Sequence, residues 1–125
     1  MARTFLFLGA LNGLLAVVLG AFGAHILKAR LSADLMAVYH TANEYHFYHA
    51  LALLLIGIVA LQFPESRPLK WAGWLMLVGI VLFSGSLYLL AVTGTRWLGA
   101  ITPLGGLAFI AGWLLLAIGT WVALR

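Results

Sequence analysis

The hydrophobic positions of the chain fall into four long runs separated by short polar segments. The first run covers residues 5–27 and is interrupted only by Asn12 and His25. The other runs cover residues 45–62, 71–92 and 103–124. An α-helix needs about 20 residues to cross a bilayer, so the pattern predicts an all-α membrane protein. We expect one domain, residues 1–125, built as a bundle of four transmembrane helices with short loops.

The polar segments contain residues that begin and end helices. Ser32 suits an N-cap, and residues 33–44 have the periodicity of an amphipathic helix at the membrane interface, either separate from the second span or continuous with it. The segment "PESRP", residues 64–68, ends the second helix and begins the third. Thr102 followed by Pro103 predicts the start of the fourth helix.

The first run also has features of a signal peptide, because Arg3 precedes an apolar stretch. However, the run is longer than the usual apolar region of about 7–15 residues, and three further runs follow it. We therefore interpret residues 5–27 as a retained membrane span.

Composition supports a bilayer environment. The chain is 65% hydrophobic and only 8% charged, whereas soluble domains carry about 25% charged residues. The formal net charge of +4 is scattered along the chain, and no run of Lys and Arg is available to follow nucleic-acid phosphates. We expect the lipid bilayer, and not a nucleic acid, as the partner. Cysteine is absent, which excludes disulfides and thiolate metal ligands.

Antiparallel packing of four spans would bring most intramembrane polar groups to one half of the bundle. The end of the first helix, the start of the second, the end of the third and the start of the fourth all lie on the same side. This predicts a polar pocket in that half of the membrane. Its candidate residues are His25, Asn43, Glu44, His46, His49, Ser84, Ser86, Tyr88, Arg96 and Thr102.

Within the second helix, the spacing of three residues places Asn43, His46 and His49 on one side. We predict that this side faces inward, because an imidazole facing lipid is costly. His40 and Glu44 share a different face. Glu44 is therefore expected to pair with His40 within the helix, or with Arg30 or Arg96 across a loop.

Small residues recur at helical spacing in the first and fourth spans. Gly9 and Gly13 form a GxxxG pair, and Gly105 and Gly112 belong to a similar stripe. Such stripes allow helix backbones to approach closely in membranes. They predict tight packing within the chain, or contact with a second copy or a membrane-protein partner.

Four segments together resemble the small bacterial membrane family known as domain of unknown function 423. They are "LGAFGAHIL" (19–27), "EYHFYHALALL" (44–54), "LFSGSLYLLA" (82–91) and "ITPLGGLAFIAGWLLL" (101–116). The resemblance extends over essentially the whole chain, and transmembrane protein 256 of animals is a more distant relative. It implies a four-span protein of the bacterial inner membrane, and it implies no reaction. Its matching positions include His25, His49 and Thr102–Gly106.

The polar residues leave several functions open. His46 and His49, with His25, form a candidate site for a divalent metal, with Glu44 as a further ligand; a haem held by two histidines is a weaker alternative. Titratable groups inside a membrane also suggest proton-linked or small-solute transport. No nucleophile and base pair is evident at this spacing, so an enzyme is the less favoured class. We favour a non-catalytic membrane module without a cofactor, which binds a lipid, a small ligand or a partner protein.

The cations of the loops and termini predict an orientation. Arg3, Arg67, Lys70 and Arg125 lie on the side of the termini, and Lys28, Arg30 and Arg96 lie on the other side. The positive-inside rule therefore places both termini in the cytoplasm.

Overall fold

The computed structural model describes the whole chain, Met1–Arg125, and contains only helices and the turns between them. Four helical segments are long and apolar enough to cross a membrane, which confirms the predicted all-α four-span architecture. The third span is a composite of two α-helices joined by a π-helical turn. The elements are α1 (Ala2–His25), α2 (Ala33–Gln62), α3 (Arg67–Gly79), the π segment (Ile80–Ser84), α4 (Gly85–Thr93) and α5 (Thr102–Ala123).

Helix α2 is the longest element and includes the residues predicted as an interfacial helix. The hydroxyl of Ser32 caps its first turn by accepting a hydrogen bond from the backbone N–H of Leu35. Neither proline nor glycine interrupts residues 33–44, so this segment is the first part of α2. At about 1.5 Å per residue, the 30 residues of α2 exceed the hydrocarbon thickness of about 30 Å. The polar N-terminal part of α2 therefore extends towards the membrane surface.

The packing order across the bundle is α1, then α2, then the third span with α3 and α4, and finally α5. Helix α1 packs on α2, α2 packs on α3 and α4, and α5 packs on α3 and the π segment. Helix α2 is central, because 44% of the residues in its most apolar stretch are buried, against 22% in the corresponding stretches of the first and last spans. The core between α2, α3 and α5 contains Leu53, Ile56, Met76 and Phe109.

The glycine stripes of α1 and α5 serve contacts within the chain. A Cβ atom at Gly9 would lie 3.0 Å from the carbonyl oxygen of Ala50 in α2. One at Gly105 would overlap the backbone nitrogen of Phe83 in the π segment, and one at Gly112 would lie 3.2 Å from the sulfur of Met76. Of the four glycines proposed for partner contacts, only Gly13 has open surroundings, with no atom within 4 Å of a Cβ position.

Candidate functional site

A closed network of polar side chains joins α1, α2 and α4. His46 lies at its centre and is only 4% exposed. Its Nε2 atom lies 3.0 Å from Oδ1 of Asn12, and its Nδ1 atom lies 3.0 Å from the hydroxyl of Tyr88. Asn43 donates from Nδ2 both to the Tyr88 hydroxyl, at 3.0 Å, and to the carbonyl of Ala16, at 2.8 Å. We call Asn12, Asn43, His46 and Tyr88 the polar network.

The hydrogen bonds of the polar network fix the direction of each proton. Asn12 donates from Nδ2 to the carbonyl of Leu8 at 2.8 Å, so its Oδ1 atom must accept from Nε2–H of His46. The Tyr88 oxygen accepts from Asn43, and Nδ1 of His46 is the only acceptor within reach of the Tyr88 hydroxyl hydrogen, so Tyr88 donates to Nδ1. His46 is therefore neutral with its proton on Nε2, and its bonding capacity is fully used.

Tyr39 extends this contact between α1 and α2 towards the membrane surface. Its hydroxyl donates to the carbonyl of Leu19, and its ring packs edge-on against that of Tyr88 with 5.2 Å between centroids. A Cβ atom at Gly23 would overlap the Tyr39 ring, so the absence of a side chain at Gly23 creates the space for the tyrosine.

His49 belongs to a separate, aromatic environment on the side of α2 that faces α5. Its Nδ1 atom lies 2.7 Å from the carbonyl oxygen of Tyr45, and its Nε2 atom accepts a hydrogen bond of 3.0 Å from the indole N–H of Trp113. The imidazole stacks on the ring of Phe109, with centroids 3.5 Å apart and planes within 8°. Because a carbonyl only accepts, His49 is neutral with its proton on Nδ1, the opposite tautomer to His46.

Beside His49, the surface has a groove with a volume of about 580 Å³. It lies between α2, the π segment and α5, and we call it the aromatic groove. Its walls contain no charged side chain, and the outer edges of Tyr48, Ile110 and Trp113 are exposed. The residues that form it are Tyr45, Tyr48, His49, Phe83, Gly106, Phe109, Ile110 and Trp113.

The π segment shapes one wall of this groove. The N–H of Gly85 bonds to the carbonyl of Ile80, five residues earlier, which widens the helix at this turn. Ser86 donates to the carbonyl of Phe83 at 3.0 Å, and its hydroxyl lies 2.7 Å from that of Thr102 at the start of α5. Ser84 is fully buried, and its hydroxyl has no hydrogen-bond partner.

The polar side chains reach the middle of the bundle. Asn12 lies near the middle of α1 and Trp113 near the middle of α5, so His46 and His49 bind partners close to the bilayer centre. The polar side chains therefore extend from the centre of the bundle to one surface. Both midspan partners were absent from the candidates predicted from sequence.

Six of the ten predicted site residues lie outside the polar network and the aromatic groove: His25, Glu44, Ser84, Ser86, Arg96 and Thr102. His25, Glu44 and Arg96 are exposed, and His25 lies at the last residue of α1. His46 and His49 face different neighbours and use both ring nitrogens for hydrogen bonds within the chain. The proposed metal ligands His25, His46 and His49 are thus not brought together, and the structure has no group of three His, Cys, Asp or Glu side chains placed to hold a metal ion.

Asn12, Tyr39 and Trp113 are the contributors that sequence reasoning missed. Asn12 is the one strongly polar side chain within residues 5–24, and an isolated amide in a membrane helix normally requires a polar partner. Trp113 lies far from the span ends where tryptophan is usual. These two positions were the available signals.

Comparison with known proteins gives consistent matches along the chain. Residues 19–106 match the family described as "Protein of unknown function (DUF423)". A UPF0382 membrane protein of Staphylococcus saprophyticus is 53% identical over 119 residues, covering 95% of this chain and 98% of the relative. The UPF0382 membrane protein YwdK of Bacillus subtilis is 51% identical over 116 residues, covering 93% and 94%. No solved structure matches the chain.

Proposed function

The chain belongs to the DUF423 family and is a multi-pass membrane protein, and from this premise we propose that it is a non-catalytic module that binds one uncharged lipid in its aromatic groove. The observation that carries this proposal is the groove itself. It offers about 580 Å³ within the span region of α2 and α5, where membrane lipid has direct access.

The chemistry of the groove favours an uncharged ligand. Its walls are aromatic rings and aliphatic carbon, with no Asp, Glu, Lys or Arg among them. Tyr45 and Tyr48 carry phenolic hydroxyls at the exposed side of the groove, and these can hydrogen-bond a small polar head group. Rings such as those of Phe83 and Phe109 contribute contact area for a hydrocarbon chain or a flat ring.

The polar network supports binding in the groove over transport through the bundle. Its amide, imidazole and hydroxyl groups bond one another and nearby carbonyls. A ligand or ion would have to replace these bonds, and each buried polar group left without a partner costs about 1–3 kcal/mol. The aromatic groove requires no such rearrangement.

Filling the groove is expected to weaken lipid binding. Gly106 lies in its wall, and a Cβ atom there would meet only Cδ2 of Phe83, at 3.9 Å. Leucine in Gly106→Leu therefore occupies the space of the ligand without disturbing the core. Native mass spectrometry of the purified protein with dioleoylglycerol, and separately with the isoprenoid alcohol farnesol, should show a one-to-one complex for the parent chain. For Gly106→Leu we expect a dissociation constant at least tenfold higher, which corresponds to a loss of about 1.4 kcal/mol in binding free energy.

Gly13→Leu is the matched control, because Gly13 is also a helical glycine with open surroundings but lies on α1. It should retain both lipids as the parent chain does. Absence of a complex with either lipid, or equal retention by Gly106→Leu and the parent chain, would show that the groove is not a lipid site.

We further propose the bacterial cytoplasmic membrane as the location, with both termini in the cytoplasm. Four cations lie on the terminal side and three on the other, and the excess follows the positive-inside rule. A fluorescent protein that is active only in the cytoplasm should fluoresce when it is fused to the C-terminus. Alkaline phosphatase fused at the same place should be inactive. The reverse result would invert the orientation.

A further inference from the structure

A second cavity lies at the end of the bundle opposite to the C-terminus of α4. It has a volume of about 450 Å³ and separates the start of α1 from the connection between α2 and α3. Thr4 and Phe5 of α1 form one wall, and Arg67, Lys70 and Trp74 of α3 form the other. We call it the basic cavity. It shares no residue with the aromatic groove.

The charges of the basic cavity are unbalanced. Arg67 and Lys70 both line it, and Glu65 is its only acidic residue. Both cations occupy the first turn of α3, which contains no acid. A helix N-terminus carries partial positive charge, so this position disfavours cations and favours an anion. The arrangement departs from the usual composition of a helix start, and an anion bound in the cavity would balance its charge.

The cavity also has the features of a lipid site at the membrane interface. Phe5 and Trp74 pack edge-on with 5.4 Å between ring centroids and close the cavity towards the membrane interior. The ammonium of Lys70 lies 5.8 Å from the centre of the exposed Trp71 ring, and tryptophan and lysine are typical of the interface. An anion bound here would therefore have charged groups above it and apolar rings below.

We propose that the basic cavity binds the phosphodiester of an anionic phospholipid. Arg67 and Lys70 bind the phosphate oxygens, and the hydroxyl of Thr4 is placed to donate to the head group. The acyl chains leave the cavity at its open, lipid-facing side and follow the outer surfaces of α1 and α3. Basic pockets between membrane helices are suited to such head groups. The site is independent of the proposed uncharged lipid in the aromatic groove.

Removing the two charges tests the proposal. Both side chains are exposed, so Arg67→Gln with Lys70→Gln should leave the fold intact. Native mass spectrometry of the full chain in detergent compares dioleoylphosphatidylglycerol with dioleoylphosphatidylcholine. The parent chain should prefer the anionic lipid, and the double variant should bind it about 25-fold more weakly, at about fivefold for each cation. Binding of phosphatidylcholine should not change.

Lys28→Gln with Arg30→Gln is the matched control, because it removes the same charge from exposed positions on the other side of the membrane. This control and Gly106→Leu should both bind phosphatidylglycerol as the parent chain does. Equal affinity for the two lipids, equal losses in the two charge variants, or loss in Gly106→Leu would overturn the proposal. Displacement of phosphatidylglycerol by equimolar inorganic phosphate would instead indicate a site for a free anion, and would also overturn it.

Discussion

Gly105→Ala is expected to destabilise the bundle by about 3 kcal/mol, the upper part of the usual range for overpacking a core. The added methyl group would overlap the backbone nitrogen of Phe83 and approach the carbonyl carbon of Leu82. These are backbone atoms of a helix, so rotation of a side chain cannot relieve the clash. Helix α5 must move away from the π segment, and its other contacts with α3 weaken.

The adjacent glycine provides the control for this substitution. Gly106→Ala adds the same methyl group to the same turn of α5, but only Cδ2 of Phe83 lies near it, at 3.9 Å. Alanine has a higher helix propensity than glycine by about 1 kcal/mol, so Gly106→Ala should be neutral or stabilising. Unfolding in mixed micelles with increasing sodium dodecyl sulfate, followed by circular dichroism, measures both free energies. Equal stability of the two variants would disprove the close approach of α5 to the π segment.

His46→Leu is expected to lower the free energy of unfolding by about 2–3 kcal/mol, because two polar groups lose their partners. Leucine preserves much of the side-chain volume but leaves Oδ1 of Asn12 without a donor and the Tyr88 hydroxyl without an acceptor. Both lie within the span region, where water is not available as a substitute. His40→Leu, at an exposed position of the same helix, should change stability by less than about 0.5 kcal/mol.

Coupling between Asn12 and His46 is the sharper test of the polar network. Asn12→Leu should cost less in the His46→Leu background than in the parent chain, because its carbonyl oxygen already lacks a partner there. The same unfolding titration of both single variants and the double variant gives the interaction energy. Additive losses would contradict the hydrogen bond between Asn12 and His46.

The fold was largely predictable because the bilayer imposes a length on its helices. Runs such as residues 5–27 and 103–124 have few alternatives to a spanning helix, and Ser32, Pro68 and Pro103 mark helix starts. The π segment was not predictable. Its sequence, Ile80–Ser84, is ordinary for a membrane helix, and its close contact with Gly105 of α5 is a tertiary feature that the local sequence does not contain.

Only part of the two clusters was among the predicted residues: Asn43, His46 and Tyr88 of the polar network, and His49 of the aromatic groove. Helical periodicity predicted that Asn43, His46 and His49 face away from lipid, as they do. It could not show that His46 and His49 contact different helices. His25 shows the effect of register. Gly20 of α1 lies opposite Asn43, and Gly23 lies opposite Tyr39, so the exposed His25 lies level with α2 near residue 36. This position is about 15 Å along the helix from His46.

The packing of α1 on α2 has a consequence for biosynthesis. Asn12 lies midway along α1, which emerges from the ribosome before α2, and its side-chain partner His46 belongs to α2. Until α2 enters the bilayer, the amide oxygen of Asn12 has no hydrogen-bond donor from the protein in the hydrocarbon. This destabilises α1 when it is alone in the bilayer. Pairing of α1 and α2 into a hairpin removes this cost. Insertion of α2 into the bilayer therefore promotes its packing on α1, and that packing stabilises both inserted helices.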